Sequence, residues 1–310
     1  MSTIYDVAKE AGCAPSSVSK FITKHGYVSN KLGNKITAAM AKLDYHYNGL
    51  ARNLSTKTNN RIGVIVPFLD HPYFQGLVNA IILEASKISK EVVILPTAYN
   101  ANREQQYLQE LEHNMVSSLI ITSHSLPYTK IYPYQRFGKI VFCENSNHQQ
   151  TRCVFNNRKE IFEKLFTTLK QKEITNFGFM FIRNPQDSKT TKETFEAFKK
   201  IFNHYPQPER IIYNCRTAED GKNGYLKLKR TIPNLQIVLS ESDISAAGAY
   251  QARGNSDTLI IGQGNQLVSK LLRFTSIDQH LDETGILALK LATEATSTMK
   301  EKVNFDIIWR

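Results

Sequence analysis

The spacing of apolar residues along the chain changes near residue 60. Before that point, apolar positions recur at helical spacing in three short runs. After it, short continuous apolar runs alternate with amphipathic stretches. The first pattern predicts a small all-α unit and the second an α/β unit. A chain of 310 residues is long enough for both, so we expect one domain at 1–60 and another at 61–310.

Three helices are predicted in the first domain. Thr3 can cap the first, Gly12 can end it, and Pro15 can open the second, where its missing N–H costs nothing. Ser29 can cap the third, whose first turn Gly33 weakens by about 1 kcal/mol. The apolar positions expected to share one core are Ile4, Val7, Ala8, Ala11, Val18, Phe21, Ile22, Leu32, Ile36, Ala39, Met40 and Leu43.

The second of these helices leaves Ser16, Ser17 and Lys20 on its outer side. Two helices joined by a tight turn, with short polar and basic side chains at the start of the second, are typical of a helix-turn-helix motif. In that motif the second helix enters the DNA major groove. The alternative is that these side chains only cover a solvent-exposed helix.

Residues 48–54 could form a hinge helix, although an isolated helix needs roughly 12 to 15 residues for marginal stability in water. Leu50, Ala51 and Leu54 share one face of this segment, and the polar residues 55–60 follow it. An apolar face on so short a segment favours burial against a partner. One such use is a leucine wedge between base pairs, inserted from the DNA minor groove.

The net charge of +11 indicates a polyanionic partner. The first 60 residues carry a surplus of five basic side chains, whereas the remaining 250 carry a surplus of six. The positive charge is therefore densest where the helix-turn-helix motif is predicted.

These stretches resemble the DNA-binding region of the LacI/GalR family of transcriptional regulators. The segments that carry the resemblance are TIYDVAKEAG, SSVSK, YVS, AAMAKLDY and NGLARNL. The resemblance implies that Pro15, Ser16 and Lys20 read base edges and that Ser17 and Ser19 lie near phosphates. It also implies a homodimer bound to a pseudo-palindromic double-stranded operator. The further DNA-binding positions are Thr3, Tyr5, Asn48, Ala51, Arg52 and Leu54, with Leu54 as the hinge wedge and Ala51 packed against its twofold mate.

Two residues depart from the family pattern in this region. Ala14 stands where the family usually has a capping serine, and Lys20 where an arginine is common. A lysine lacks the planar fork with which arginine grips guanine, so the base read at that position is left open.

Beyond residue 60 the pattern predicts strands and helices in alternation. The predicted strands are RIGVIVPF, EVVILPTA, SSLIITS, KIVFCEN, NFGFMFI, IVLSES and TLIIG, and the predicted helices are YFQGLVNAIILEASKIS, REQQYLQELEHN, RKEIFEKLFTTLKQ, KETFEAFKKIF and TGILALKLATEAT. This alternation predicts two α/β lobes with parallel sheets, the first at 61–156 plus part of the chain after 276, the second at 157–275. The family resemblance implies a periplasmic-binding-protein-like core that holds a ligand between its lobes.

The sequence contains none of the common catalytic motifs. GQGNQL lacks the third glycine of a dinucleotide site, and no Walker A loop, GxSxG or HExxH occurs. The four cysteines form no CxxC pair and the eight histidines have no metal-ligand spacing. We expect a protein that is not an enzyme and has neither metal nor cofactor. No apolar run approaches the roughly 18 residues of a membrane span, so we expect a cytoplasmic protein with free thiols and no membrane partner.

Ligands of open α/β sheets collect at the carboxyl ends of strands. The polar and aromatic residues predicted at these ends are Asp70, Tyr73, Phe74, Ser123, His124, Glu144, Arg183 and Asp243. Phe74 would either stack on a sugar or base, or close the hydrophobic core at a helix start. The family resemblance assigns effector positions to Phe74, Thr122, Glu144, Ser242 and Gln279.

The predicted cleft also departs from the family pattern. Gly264 and Asn265 stand where many members have an acidic pair that grips sugar hydroxyls, although Asn265 remains a candidate effector residue. Thr191 or Lys192 stands where an arginine is usual, and the segment QARGNSDTL is shorter than usual. The resemblance therefore does not imply an ordinary sugar inducer. A sugar and a sugar phosphate are both candidate effectors.

The core segments GVIVPFLDHPYF, LPTAYN, LIITS and IIGQGN resemble the branch of the family that contains the catabolite control proteins, particularly the B type. In the related A type, phosphorylated HPr acts as corepressor, which makes it a candidate partner with no residue assigned. We expect a homodimeric repressor of carbohydrate or carbon-catabolite genes. The alternatives are a cytoplasmic sugar-binding module without operator binding, and a transcriptional activator.

Overall fold

The structure is a computed structural model that describes residues 2–23, 26–46, 59–146 and 150–310. The chain divides into two compact units, Met1–Thr58 and Asn59–Arg310. The predicted hinge helix at residues 48–54 lies outside the described residues.

The described elements follow one another in the order expected for a helical unit followed by an α/β unit. The helices are α1 (Ile4–Ala11), α2 (Pro15–Thr23), α3 (Asn30–Lys42), α4 (Pro72–Lys87), α5 (Ala101–Glu112), α6 (Tyr128–Ile131), α7 (Arg158–Gln171), α8 (Lys189–Phe202), α9 (Ala218–Thr231), α10 (Asp243–Arg253), α11 (Leu267–Leu272) and α12 (Leu281–Thr293). The strands are β1 (Arg61–Val66), β2 (Glu91–Pro96), β3 (Ser118–Ile121), β4 (Lys139–Phe142), β5 (Arg152–Asn156), β6 (Phe177–Met180), β7 (Ile211–Ile212), β8 (Ile237–Ser240), β9 (Leu259–Gln263), β10 (Thr275–Asp278), β11 (Lys300–Val303) and β12 (Asp306–Ile308). Short 3₁₀ helices span Tyr132–Arg136 and Pro208–Arg210.

The first three helices begin where the sequence predicts, and α1 also ends at the predicted residue. The Thr3 hydroxyl accepts from the N–H of Asp6, and the Asp6 carboxylate accepts from the N–H of Thr3 at 2.8 Å, so the two residues form a capping box. Gly12 ends α1 with a left-handed φ of +64°, and the Ser29 side chain caps α3. These helix predictions are confirmed.

A glycine in α3 lets the helices of this small unit pack closely. Val7, Val18 and Ile36 are fully buried at its centre. A Cβ built on Gly33 would lie only 2.8 Å from Cε2 of Phe21 on α2. The low helix propensity of Gly33 is therefore offset by a close contact between α2 and α3.

The larger unit contains two six-stranded sheets, in the orders β11-β5-β4-β3-β1-β2 and β12-β10-β9-β8-β6-β7. The pairings in the first sheet are parallel, as expected. In the second sheet, β12 runs antiparallel to β10. The predicted parallel sheets are confirmed, and β12 adds one antiparallel pairing at the edge of the second. The physical reason is that β12 follows β11 of the other lobe after only two residues and enters the second sheet from the opposite direction.

The chain crosses three times between the lobes, after β5, after β10 and after β11. The prediction of a first lobe at 61–156 completed by chain after 276 is confirmed. The second lobe was expected to end at 275, but β10 extends it to Asp278 and β12 returns to it.

Helices α9 and α10 were not predicted, because glycines interrupt α9 and its apolar residues are few. Gly221 of α9 and Gly248 of α10 let the backbones of these two helices come into contact. A Cβ on Gly221 would lie 1.9 Å from the Ser245 carbonyl oxygen, and one on Gly248 would lie 1.7 Å from the Ala218 carbonyl oxygen. The pair is thus stabilised by a close tertiary contact rather than by helix propensity.

Each sheet is covered by helices on both faces, and separate clusters of buried side chains fill the four interfaces. One cluster of the second lobe is rich in phenylalanine, with Phe166, Phe177 and Phe198 in mutual edge-to-face contact. No helix in the described ranges is long and apolar enough to cross a lipid bilayer.

We expect the substitution Gly33→Ala to lower the stability of the three-helix unit. Alanine gains about 1 kcal/mol of helix propensity, but its Cβ must displace the Phe21 ring, and overpacking typically costs roughly 1–3 kcal/mol. Hydrogen exchange of the core amides in α1–α3 measures the net effect. The control is Asn34→Ala at the next, exposed position, where only the gain in propensity applies. Slower exchange in Gly33→Ala would contradict the packing role of Gly33.

Candidate functional site

The outer face of α2 presents the residues predicted to contact DNA. Ser16 and Lys20 are exposed and lie four residues apart, so they share one face of the helix. Pro15, Ser17 and Ser19 are half-exposed beside them, whereas Val18 is fully buried on the opposite side. The helix therefore offers a short polar surface with one basic side chain.

The aliphatic stem of Lys20 lies beside Gly26. A Cβ built on Gly26, whose φ is +106°, would lie 3.3 Å from Cδ of Lys20. Among the described residues the Lys20 ammonium has no ion-pair partner. The stem is thus held while the charged end is available to a phosphate or a base edge.

Two exposed tyrosines border the same unit. The Tyr5 ring is 71% exposed and that of Tyr27, which was not predicted as a site residue, is 92% exposed. Both rings are accessible to a partner of this unit. The Thr3 hydroxyl, also predicted to contact DNA, donates to the Asp6 carboxylate at 2.7 Å as part of the α1 cap. The predicted DNA-binding residues Asn48, Ala51, Arg52 and Leu54 lie outside the described residues.

A cleft lies between the two lobes of the larger unit, where the carboxyl ends of the strands of both sheets meet. Its volume is about 990 Å³, including the part open to solvent. The side chains that line it are His71, Tyr73, Phe74, Tyr99, Thr122, Ser123, Cys143, Glu144, Asn145, Asn156, Arg158, Ile182, Arg183, Lys189, Thr190, Glu193, Glu241, Gln263, Gln279 and Phe305.

Most of the predicted effector residues line this cleft. They are Tyr73, Phe74, Thr122, Ser123, Glu144, Arg183 and Gln279. Phe74 is only 6% exposed and packs edge-on against Tyr73, with 5.0 Å between ring centroids. It therefore closes the core at the start of α4 and also forms part of the cleft wall.

Three predicted effector residues do not line the cleft. Asp70 is ion-paired with Arg216 at the surface, and Ser242 is buried as the cap of α10. The Asn265 amide donates to the Asp278 carboxylate at 2.8 Å. The physical reason for these placements is that a polar residue after a strand is equally suited to capping the next helix or bonding the neighbouring loop.

Asp243, another residue at a strand end, also has a structural role. Its carboxylate is buried and accepts from the Ser276 hydroxyl at 2.6 Å and from the N–H of Gln266 at 2.7 Å. Burial raises the pKa of this carboxyl despite these hydrogen bonds. The Asp243 carboxylate thereby links the loop after β9 to the start of α10.

Glu144 is the carboxylate at the end of β4, and it is paired with His124, with 2.9 Å between Oε1 and Nε2. Burial would raise the pKa of Glu144, but the hydrogen bond from His124 and the charges of His124, Lys189 and Arg183 outweigh it and lower the pKa. Glu144 is therefore an anionic acceptor, suited to the hydroxyl groups of a ligand.

His71 caps α4 and presents an unpaired nitrogen. Its Nδ1 accepts from the N–H of Tyr73 at 3.3 Å, whereas its buried Nε2 has no hydrogen-bond partner among the described residues. Burial, with the nearby charge of Arg216, lowers the pKa of His71 to about 4. The neutral ring carries its proton on Nε2 because Nδ1 is an acceptor, so it can donate to a ligand.

Charged side chains of the second lobe complete the cleft. The Arg183 guanidinium lies over the Tyr99 ring, 3.9 Å from its centroid, and Lys189 lies 3.8 Å from Glu193. The Glu241 carboxylate accepts from the N–H of Ile182 at 2.7 Å.

Several lining residues are not among those predicted from the sequence, although some of them follow predicted strands. Glu241 follows β8 directly and Gln263 ends β9, so the rule of strand ends already points to both. Asn156 and Arg158 escaped because β5 has only three consecutive apolar residues and was not predicted as a strand. In the ranges that the structure describes, no group of three His, Cys, Asp or Glu side chains is placed to hold a metal ion.

A helix-turn-helix unit with an exposed polar face, joined in one chain to a two-lobed ligand cleft, defines a DNA-binding regulator with its own ligand-binding domain. Two family models agree with this class. The model of bacterial regulatory proteins of the lacI family matches residues 3–48, and that of periplasmic binding proteins and the sugar binding domain of the LacI family matches residues 59–301. The chain belongs to the LacI family, which consists of transcriptional regulators and not of enzymes.

The chain is similar over nearly its whole length to characterised members. It is 31% identical to catabolite control protein B of Bacillus subtilis (strain 168), over 94% of each chain. It is also 31% identical to the ribose operon repressor of the same organism, over 94% of this chain and 90% of that protein. The predicted resemblance to the B-type catabolite control proteins is confirmed.

Solved structures share the fold. A lac repressor dimer bound to operator and the anti-inducer ONPF superposes with a TM-score of 0.75 at 20% identity, covering 99% of this chain and 97% of that chain. A LacI-family regulator from Silicibacter pomeroyi reaches a TM-score of 0.81 at 19% identity, covering 100% and 98%. The predicted architecture of a helix-turn-helix head and a periplasmic-binding-protein-like core is confirmed.

We expect His71→Asn to flatten the acid side of the stability profile. Below pH 6.5 an unfolded His71 binds a proton, whereas the folded residue stays neutral down to about pH 4. The unfolded state therefore binds more protons in this window, and stability falls as the pH drops through it. Asparagine keeps a capping acceptor without titrating, so the difference in unfolding free energy between the two proteins should change by roughly 3 kcal/mol between pH 7 and 4. Denaturant titrations at several pH values measure it, and parallel profiles would contradict the buried neutral imidazole.

Proposed function

We propose that the protein is a homodimeric, cytoplasmic repressor of genes for carbohydrate use, released or engaged by a small ligand in the interlobe cleft. The observation that carries the DNA-binding part is the exposed face of Ser16 and Lys20 on α2, within the segment that matches the LacI family. The names of relatives support the carbohydrate part, since they include ribose operon repressors, sucrose operon repressors and catabolite control proteins A and B.

A dimer follows from the size of the DNA-binding surface. One α2 helix offers few base contacts, whereas a twofold pair doubles them and fixes the spacing of two half-sites in a pseudo-palindromic operator. The predicted hinge wedges of Leu54 would meet in the central minor groove.

The ligand would act by changing how the lobes close. Three short crossings join the lobes, so closure is a hinge motion about these segments. Asn59, the first residue of the core, is fixed to the first lobe, since its amide donates to the Asn114 carbonyl at 2.6 Å. A shift of this lobe would therefore be passed to the residues before it, and ligand and DNA affinities would be coupled.

The proposed effector residues are those of the predicted set that line the cleft, with Phe74 as the aromatic wall and Glu144 as the hydroxyl acceptor. The aromatic, polar and charged side chains of this lining are of the types that bind either a sugar or a sugar phosphate. Phosphorylated HPr stays a candidate protein partner without assigned residues. The match of residues 3–48 to a DNA-binding family model disfavours a sugar-binding module without operator binding. An activator would use the same contacts at a different promoter position.

The test is to select bound sequences from random DNA with the full-length protein and to measure affinity against salt. A dimer that contacts several phosphates should lose roughly a thousandfold or more in affinity between about 50 and 200 mM salt. The selected sites should be pseudo-palindromes. Recovery of no preferred sequence, together with a flat salt dependence, would overturn the proposal.

We expect Lys20→Ala to relax the preference at one base pair per half-site, at a cost of about 1–3 kcal/mol on the preferred sequence. Lys35→Ala is the control, because Lys35 is exposed in the same unit but lies on α3. Binding to a library of single-base variants separates the outcomes. A loss that is uniform across sequences would assign Lys20 to a phosphate instead of a base.

A further inference from the structure

Arg158, the first residue of α7, is a buried basic side chain in the wall of the cleft. It is 7% exposed. Its Nε donates to the Thr194 hydroxyl at 3.2 Å and its Nη2 to Oε1 of Gln263 at 2.5 Å. The guanidinium also lies over the Phe162 ring, 4.9 Å from its centroid. All of these partners are uncharged.

No described carboxylate lies within ion-pair distance of this guanidinium, and its Nη1 has no hydrogen-bond partner among the described residues. The carboxylates that act on it from further away are Glu241 and Glu193. Glu241 accepts from the N–H of Ile182 at 2.7 Å, and Glu193 lies 3.8 Å from the Lys189 ammonium. The nearest negative charges are therefore already bound to other donors.

A charge buried without a partner is costly, and proteins generally pair it or bind a counter-ion. A ligand that enters the cleft can supply that charge. We propose that the effector carries an anionic group, a phosphate or a carboxylate, which the Arg158 guanidinium binds inside the cleft. This inference rests on the proposed role of the cleft as the effector site.

Other donors face the same cavity. The buried Nε2 of His71 lacks a partner among the described residues, and Lys189 and Arg183 add positive charge to the wall. The α7 helix begins at Arg158, and its cap residue Asn157 makes no side-chain hydrogen bond to the helix. The free N–H groups of its first turn favour a negative group there.

The rest of the wall fits a polyhydroxylated body attached to that anionic group. Phe74 and Tyr99 provide aromatic surface, while Glu144 and Asn145 provide acceptors for hydroxyl groups. The effector would thus be a sugar phosphate or a sugar acid rather than an uncharged sugar.

The first experiment uses the full-length protein and matched pairs of probes. These are glucose and glucose 6-phosphate, fructose and fructose 6-phosphate, ribose and ribose 5-phosphate, with gluconate as the carboxylate and inorganic phosphate as the bare anion. We expect at least one charged sugar to raise the thermal unfolding temperature and to bind about a hundredfold more tightly than its neutral counterpart. A phosphate ester or gluconate as the tightest probe identifies the anionic group. Neutral sugars that bind as tightly as their charged counterparts, or a full panel without binding, would overturn the inference.

The second experiment compares Arg158→Met with Arg158→Lys. Methionine should abolish the preference for the charged probe, at a loss of roughly a hundredfold in its affinity, and lysine should restore part of it. Arg253→Met is the control, because Arg253 also lies over an aromatic ring, 4.2 Å from the Tyr250 centroid, and donates to an uncharged acceptor, but does not line the cleft. Unchanged affinity of Arg158→Met for the charged probe would overturn the inference.

Stability without ligand gives an independent readout. Thr194 keeps its bond to the Thr190 carbonyl at 2.9 Å, and Gln263 keeps the Gln279 amide at 3.3 Å, when the guanidinium is removed. Arg158→Met should therefore unfold at the same temperature as the unliganded parent or higher, whereas a purely structural arginine would cause a loss. These measurements contain no DNA, so failure of operator binding would leave their outcome intact and would overturn only the proposed function.

Discussion

The core of this protein depends on parallel strands whose carboxyl ends face one another across two lobes. Parallel pairing collects these ends at one edge of each sheet, and the three crossings of the chain bring the two edges together. Residues that follow β1, β2, β3, β4, β6 and β8 thereby come to line one cavity, although they are spread over much of the chain. In the proposed function, the same crossings are the hinge about which the lobes would close.

Polar side chains at the strand ends are partly or fully buried, and burying a polar group costs free energy unless it forms a hydrogen bond or an ion pair. Three consecutive residues after β8 illustrate the possible outcomes. Glu241 binds a backbone N–H and borders the cleft, Ser242 caps α10, and Asp243 is buried between the Ser276 hydroxyl and the N–H of Gln266. Arg158 differs from them because its charge has no counter-charge within ion-pair distance among the described residues. The partners of Ser242 and Asp243 hold those side chains in place, whereas the unpaired charge of Arg158 is the basis of the anion site proposed above.

The amino-terminal unit differs from the core because few side chains form its interior and because DNA binding requires an exposed polar surface. Close packing of α2 on α3 at Gly33 buries the inner face of α2 with few side chains. This leaves the outer face to Ser16 and Lys20. The surface proposed to face DNA is thus a direct consequence of which residues of α2 the small core can bury.

The sequence by itself determined the local structure of strongly patterned segments. The first three helices were predictable from the spacing of apolar residues together with Thr3, Gly12 and Ser29 at their ends. Most of the predicted effector residues that line the cleft were predictable because they follow strands. Only the tertiary structure revealed the packing of α9 on α10, the antiparallel β12, and the cleft position of Arg158. The physical reason is that burial period and helix caps act between neighbours in sequence. By contrast, backbone contacts at glycines and the pairing of a charge depend on groups that the fold brings together from distant segments.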